Sequence, residues 1–183
     1  MVMFGPYVLA VNPSVPAKTT QELIAYAKAN PGKLAVANSG VGAPNHLTGV
    51  VVARALGLDW KYVPYRGGSA ASRAVISGES QVIMNGTTAT LPYVTGKQLV
   101  GLAVTGDRRL DALPDAPTFK EAGLAAHDAG TWQGVLTTAG SPPVLIERLN
   151  AELRKILAMP IFASGPSVLS SPQSAVPRPA LPR

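Results

Sequence analysis

Short apolar runs alternate with amphipathic segments along this chain, and that alternation limits its fold more than any single residue does. "YVLAV" (7–11) reads as a buried strand, followed by "NPSVPAK", a linker stiffened by Pro13 and Pro16. Thr19 and Glu22 form a capping box for a helix that turns Leu23, Ile24 and Ala27 inward and stops at Asn30-Pro31-Gly32. "KLAVAN" is the next strand. A helix from about Asn45 to Leu56 places Leu47, Val50, Val51 and Leu56 at core spacing, and Gly57 ends it. Then come a strand "WKYVPY", a helix "AASRAVIS" capped by Ser69, a strand "QVIM", and a loop from Asn85 with a short helical turn at Ala89–Tyr93. A strand "LVGLAV", a helical turn near Thr118–Ala122 and a strand "WQGVL" follow. Ser141 as N-cap and Pro142 at the first position open a last helix. This order predicts an α/β fold around a mostly parallel sheet.

In such sheets, ligands sit beyond the carboxyl ends of the strands. Three turns rich in Gly, Ser and Asn fall there: Ser39–His46, Tyr65–Ser69 and Asn85–Thr88. In the first, Gly40 and Gly42 let backbone N–H groups turn inward without steric cost. Ser39 adds a hydroxyl, and the following helix supplies unpaired donors and a partial positive charge. A carboxylate suits that set of donors. Two other readings stay open. One is a capping turn that holds only water. The other is a nicotinamide-dinucleotide loop of an oxidoreductase. Gly40-Val41-Gly42 follows a strand and opens a helix, Asp59 lies about twenty residues on, and Arg66 would suit a 2′-phosphate. Against it, Asn45 stands at the third glycine position, and Asp59 precedes the next strand instead of ending it.

Composition narrows the field. The 183 residues suffice for one good core or two small lobes, and 46% apolar against 14% charged residues is a globular balance. With no cysteine, disulfides and thiolate metal sites are excluded. His46 and His127 are far apart and no acidic cluster joins them, so neither a metal nor another cofactor is expected. The net charge of +6 forms no stripe interleaved with aromatics, which argues against nucleic acid and for small anions. There is no nucleophile elbow and no ordered triad, so a non-catalytic binder is expected. No apolar run is long enough to span a membrane. The amino terminus lacks a charged n-region and a full h-region and does not read as a signal peptide; taken alone, the chain would stay in the cytoplasm. From about Ile161 the sequence loses periodicity and is dense in Pro and Ser, which reads as disorder.

Four long motifs then appear in order over about residues 7–160: "NPSVPAKTTQELIAYAKANPGKLAVANSGVGAPNHL", "VPYRGGSAASRAVISGESQVIM", "LPYVTGKQLVGLAVTGDRRLDALPDAPTFKEAGL" and "TWQGVLTTAGSPP". The series resembles the Bug-type extracytoplasmic solute receptors of tripartite tricarboxylate transporters. That resemblance implies a type II periplasmic-binding-protein fold, two α/β lobes hinged around a cleft. It also implies a small carboxylate ligand, membrane transporter subunits as partners and a periplasmic location. The family's carboxylate turn falls on Ser39, Gly40, Gly42, Ala43 and His46, with Tyr65, Gly67 and Asn85 completing the ligand-binding set. Asn85 stands where the family usually has an Asp that pairs with an amine, which implies a plain mono- or dicarboxylate.

Relatives also carry a signal peptide and a further segment before "YVLAV". The expected organisation is therefore one complete lobe plus fragments of the second. It comprises a remnant strand of the first lobe at 1–11, the ligand-binding lobe at 12–136, a helix returning to the first lobe at 137–160, and a disordered tail at 161–183. Leu145, Leu149, Leu153 and Ile156 form the apolar stripe of that helix, which lacks a partner lobe here. Read one base back, the tail can encode "DLRER" and then "GGTP" from Ser174 to Arg178, the family's own ending, so a frameshift near Pro160 is inferred. A truncated receptor is expected, with a non-functional fragment as the alternative.

Overall fold

The apolar run near the amino terminus becomes the strand on which the sheet is assembled. The computed structural model describes residues 3–126 and 128–159. In chain order the elements are β1 (Met3–Val11), α1 (Thr20–Ala29), β2 (Ala35–Asn38), α2 (Pro44–Leu56), β3 (Lys61–Pro64), α3 (Gly68–Ile76), β4 (Val82–Gly86), α4 (Thr87–Thr95), β5 (Val100–Val104), β6 (Gly130–Gln133) and α5 (Pro143–Leu157). The strands lie in the order β3-β2-β4-β1-β5, and β6 also pairs with β1. β2 is parallel to β3 and β4, whereas β1 is antiparallel to β4 and β5. The expected mostly parallel sheet is thus a mixed one: β1 opposes the common direction of β2, β3, β4 and β5.

Alternating side chains divide the core between the two faces of the sheet. Leu9, Val11, Val36, Met84 and Leu102 pack with Leu23 and Ala27 of α1 and with Val52 and Ala53 of α2. Val8, Ala10, Ala37, Ile83 and Val104 pack with Ala71 and Val75 of α3, and Tyr93 and Val94 of α4 join them. α1 is capped as expected: the Thr19 side chain accepts from the Glu22 N–H, and the Glu22 carboxylate accepts from the Thr19 N–H. Phe119, with no exposure, plugs the first face from the turn that follows β5. That turn is closed by the Ala122 N–H donating to the Thr118 carbonyl at 2.9 Å.

Several elements differ from expectation. α2 buries Asn45, Thr48, Gly49, Val52 and Ala53, while Leu47 and Val51 stay exposed. Gly49 explains the rotation. A Cβ there would lie 3.2 Å from the Tyr62 ring and 3.5 Å from the Met84 methyl, so the helix lies close against the sheet on that side. α3 starts earlier than expected, with Gly67 as N-cap and Ser69 inside the helix. The loop after Asn85 is mostly the helix α4. The strand expected at 132–136 is instead β6.

The chain forms two compact units, one of Gly5–Thr131 and one that includes the chain from Trp132. β1 pairs with β4 and β5 in the sheet, and its first described residues, Met3 and Phe4, group with the second unit. In the second unit, α5 has Pro142 as N-cap and no side-chain cap. Ser141, expected to cap it, donates its hydroxyl to the Thr138 carbonyl at 2.8 Å instead. Leu145, Leu149 and Ile156 of its stripe are exposed, and Leu153 is half-buried. The expected tail at 161–183, its frameshift and His127 lie outside the described residues.

Burial ranks the supports of this fold. Phe119→Ala should lower unfolding free energy by about 3–5 kcal/mol, and Thr19→Ala by about 1 kcal/mol through its cap. Urea unfolding of the two variants measures this, and equal losses would contradict the ranking.

Candidate functional site

Because β2, β3 and β4 run parallel, the turns that leave them share one rim of the sheet. Asn38 pairs with Pro64 across β2 and β3 at that end. α2, α3 and α4 begin there, with Ala43, Gly67 and Gly86 as N-caps, and none of the three has a side-chain cap. The first amides of an α-helix have no acceptor within the helix. α1 satisfies its own through Thr19 and Glu22; α2, α3 and α4 present theirs, with the positive ends of their dipoles, to the rim. The three turns contain no Asp or Glu, and Arg66 is their one fully charged side chain.

The Ser39–His46 turn is built from inside by two asparagines. The Ser39 N–H and hydroxyl both donate to Asn45 Oδ1, at 3.3 and 2.8 Å. The Gly40 N–H donates to Asn38 Oδ1 at 3.0 Å. The Gly42 N–H donates to His46 Nδ1 at 3.2 Å, and the Ala43 N–H to the Gly40 carbonyl at 3.1 Å. Gly42 has a φ of +80°, a conformation a side chain would strain. Asn38 and Asn45 are 1% and 4% exposed, and both of their Nδ2 groups are buried without a hydrogen-bond partner among the described residues.

His46 in turn stands edge-on to Tyr62, with ring centres 4.9 Å apart and planes at 79°. The Tyr62 hydroxyl accepts from Trp60 Nε1 at 2.7 Å. Burial holds the Tyr62 phenol above its ordinary range, against the lowering effects of the Trp60 bond and the Arg54 charge.

The other two turns meet at Asn85. Its Nδ2 donates to the Gly68 carbonyl at 3.1 Å, and a Cβ on Gly68 would lie 2.8 Å from it. Asn85 therefore ties β4 to the first residue of α3 and needs a glycine there. Gly67, with a φ of +92°, turns the chain into α3. Tyr65 points elsewhere: its hydroxyl bonds Glu79 at 3.0 Å and Ser80 at 2.9 Å, the residues that precede β4. Ser39, Gly40, Gly42, Ala43, His46, Gly67 and Asn85 thus gather at the rim, as does the Tyr65 backbone, but not the Tyr65 hydroxyl.

The sequence reading singles out none of Asn38, Tyr62 and Gly68 as site residues, and takes Asn45 as a helix start and as the mismatch to a third glycine. That mismatch was the available signal. The Asn45 side chain fills the place a dinucleotide loop keeps open, and Asp59 sits beside Gly32, whose N–H donates to its carbonyl at 2.8 Å, ahead of β3. The dinucleotide reading finds no support in this geometry. A separate cleft of about 400 Å³ lies beside β5, lined by Lys18, Gln21, Leu102, Pro114 and Asp115 among others. The helix that opens beside it, α1, is already capped.

Comparison with known proteins decides the family. The model of the tripartite tricarboxylate transporter family receptor matches residues 1–167. The chain belongs to that family. It is 35% identical over 156 residues to the UPF0065 protein in the tcbD-tcbE intergenic region of Pseudomonas sp. (strain P51), covering 85% of this chain and 46% of that protein. It is similar in structure to the periplasmic binding protein BugD, with a TM-score of 0.81 and 30% identity over 88% of this chain and 54% of that one. It is likewise similar to R. palustris Rpa4515 with adipate, with a TM-score of 0.82 and 26% identity over 87% and 54%. The chain spans about half the length of these relatives. The expected fold is found: a mixed α/β unit like part of a periplasmic binding protein. The family is one of periplasmic solute receptors and not of enzymes.

The asparagine scaffold has a measurable cost of removal. Asn45→Ala strips the acceptor from both Ser39 donors and should cost about 1–3 kcal/mol. Amide exchange at Ser39 should accelerate while β1 exchange stays slow. Unchanged exchange at Ser39 would contradict the assigned role.

Proposed function

We propose that this chain is the ligand-binding part of a receptor for a small mono- or dicarboxylate, with Ser39, Gly40, Gly42, Ala43, His46, Tyr65, Gly67 and Asn85 framing the site. One observation carries the reading: three helix N-termini without side-chain caps meet on a rim that holds no acidic residue. Helix N-termini without side-chain caps favour an anion, and a carboxylate offers enough lone pairs to engage several of their amides. Arg66 adds positive charge beside the second turn. Asn85 is a neutral amide whose donors are spent on α3, so the rim lacks the carboxylate that would hold an ammonium group, which disfavours amino acids as ligands.

The binder is non-catalytic in this reading. The His46 Nδ1 is occupied with the Gly42 amide, from which it accepts. Delivery to membrane transporter subunits and a periplasmic setting follow from the family. The adipate in Rpa4515 supports a dicarboxylate as the first ligand to test.

Calorimetric titration with adipate, and in parallel with NADH, tests this. One wall of a cleft should bind adipate only at millimolar strength, on the order of 4 kcal/mol, and should give no response to NADH. Saturable NADH binding, or no carboxylate response at tens of millimolar, would overturn the proposal.

A further inference from the structure

We propose that His46 is the positioning residue of the Ser39–His46 turn and makes its carboxylate affinity depend on pH. The inference rests on the carboxylate reading of this rim. A backbone N–H can only donate, so the bond from Gly42 fixes Nδ1 of His46 as an acceptor and places the neutral ring's proton on Nε2. Tyr62 holds that ring edge-on, and the Trp60 N–H holds Tyr62. Gly49 lets the Tyr62 ring lie against α2. The imidazole thereby covers the Gly42 amide, one of the donors an anion would use.

Protonation of Nδ1 turns this contact into donor facing donor. The Gly42 N–H is then released and the ring gains a positive charge. The charged and titratable groups around it are few. α2 itself brings Arg54; β3 brings Lys61 and Tyr62, with Arg66 beyond its end. β2, β4 and the stretch Ser39–Ala43 bring none. None of these groups is a carboxylate, so no partner for an imidazolium comes from these elements. An anion at the turn supplies that counter-ion and takes up the freed Gly42 amide. Carboxylate affinity therefore rises as the histidine takes up its proton, and bound carboxylate favours the protonated ring.

NMR on the isotopically labelled chain tests this, since it has only two histidines. Without ligand, near pH 8, one neutral ring should show its proton on Nε2, and His46→Gln should remove that signal. The proton on Nδ1 would overturn the proposal. Adipate should bind roughly fivefold more tightly where the ring is protonated than where it is neutral, and His46→Gln should bind equally under both conditions. Tyr62→Leu removes the ring edge against His46 and should weaken both the tautomer preference and the pH profile. A pH-independent affinity in the parent chain, or the same pH dependence in His46→Gln, would overturn the inference while leaving carboxylate binding intact. If adipate does not bind at either pH, the carboxylate reading fails, and the Gly42 amide decides the rest. Its resonance must follow the His46 titration, and independence of the two would overturn the positioning role as well.

Discussion

The buried ladders of β1 are the constraint from which the rest follows. Val8–Val11 are almost without exposure, and β1 pairs on one side with β4 and on the other with β5. A strand so enclosed must satisfy its backbone groups on both edges, and its side chains must be apolar on both faces. "YVLAV" meets that demand. β1 runs against its neighbours, and β2, β3 and β4 beyond it run together. Their carboxyl ends, and so the starts of α2, α3 and α4, collect on one rim.

That rim is where local stability is given up. Three helices begin there without side-chain caps, and two buried asparagines hold the first turn while their own Nδ2 groups have no partner among the described residues. An unsatisfied buried donor costs about 1–3 kcal/mol, so a chain optimised only for stability would not keep two at one turn. Departures from local consistency of this kind concentrate at functional sites. α1 shows the contrast, since its capping box leaves little for a ligand to satisfy.

Much of this was legible in the sequence, and the misses have physical causes. The capping box of α1 and the Gly57 end of α2 were readable because they are local: a side chain reaches its own helix, or a residue adopts a left-handed conformation. The direction of β1 was not, because strand polarity is decided by pairing partners far along the chain. The buried face of α2 was misread because Gly49 and Thr48 face the sheet where larger apolar residues were expected. Close approach to Tyr62 and Met84, not hydrophobicity, sets that face. α4 extends the expected helical turn at Ala89–Tyr93 to Thr87–Thr95, with Pro92 inside it. At the site, the turns and their glycines were visible as motifs. The asparagines that shape them were not, because Asn45 matters through a bond to Ser39 six residues back.

The central claim is that the rim formed by these turns receives a small carboxylate. Amide hydrogen exchange over the whole chain, with and without excess adipate, tests it most directly. Protection should gather at Gly40–Leu47, Gly67–Ala71 and Gly86–Ala89, with the rest of the sheet unchanged. Protection at Lys18–Gln21 and Ala112–Pro117, around the cleft beside β5, with none at the rim, would contradict it.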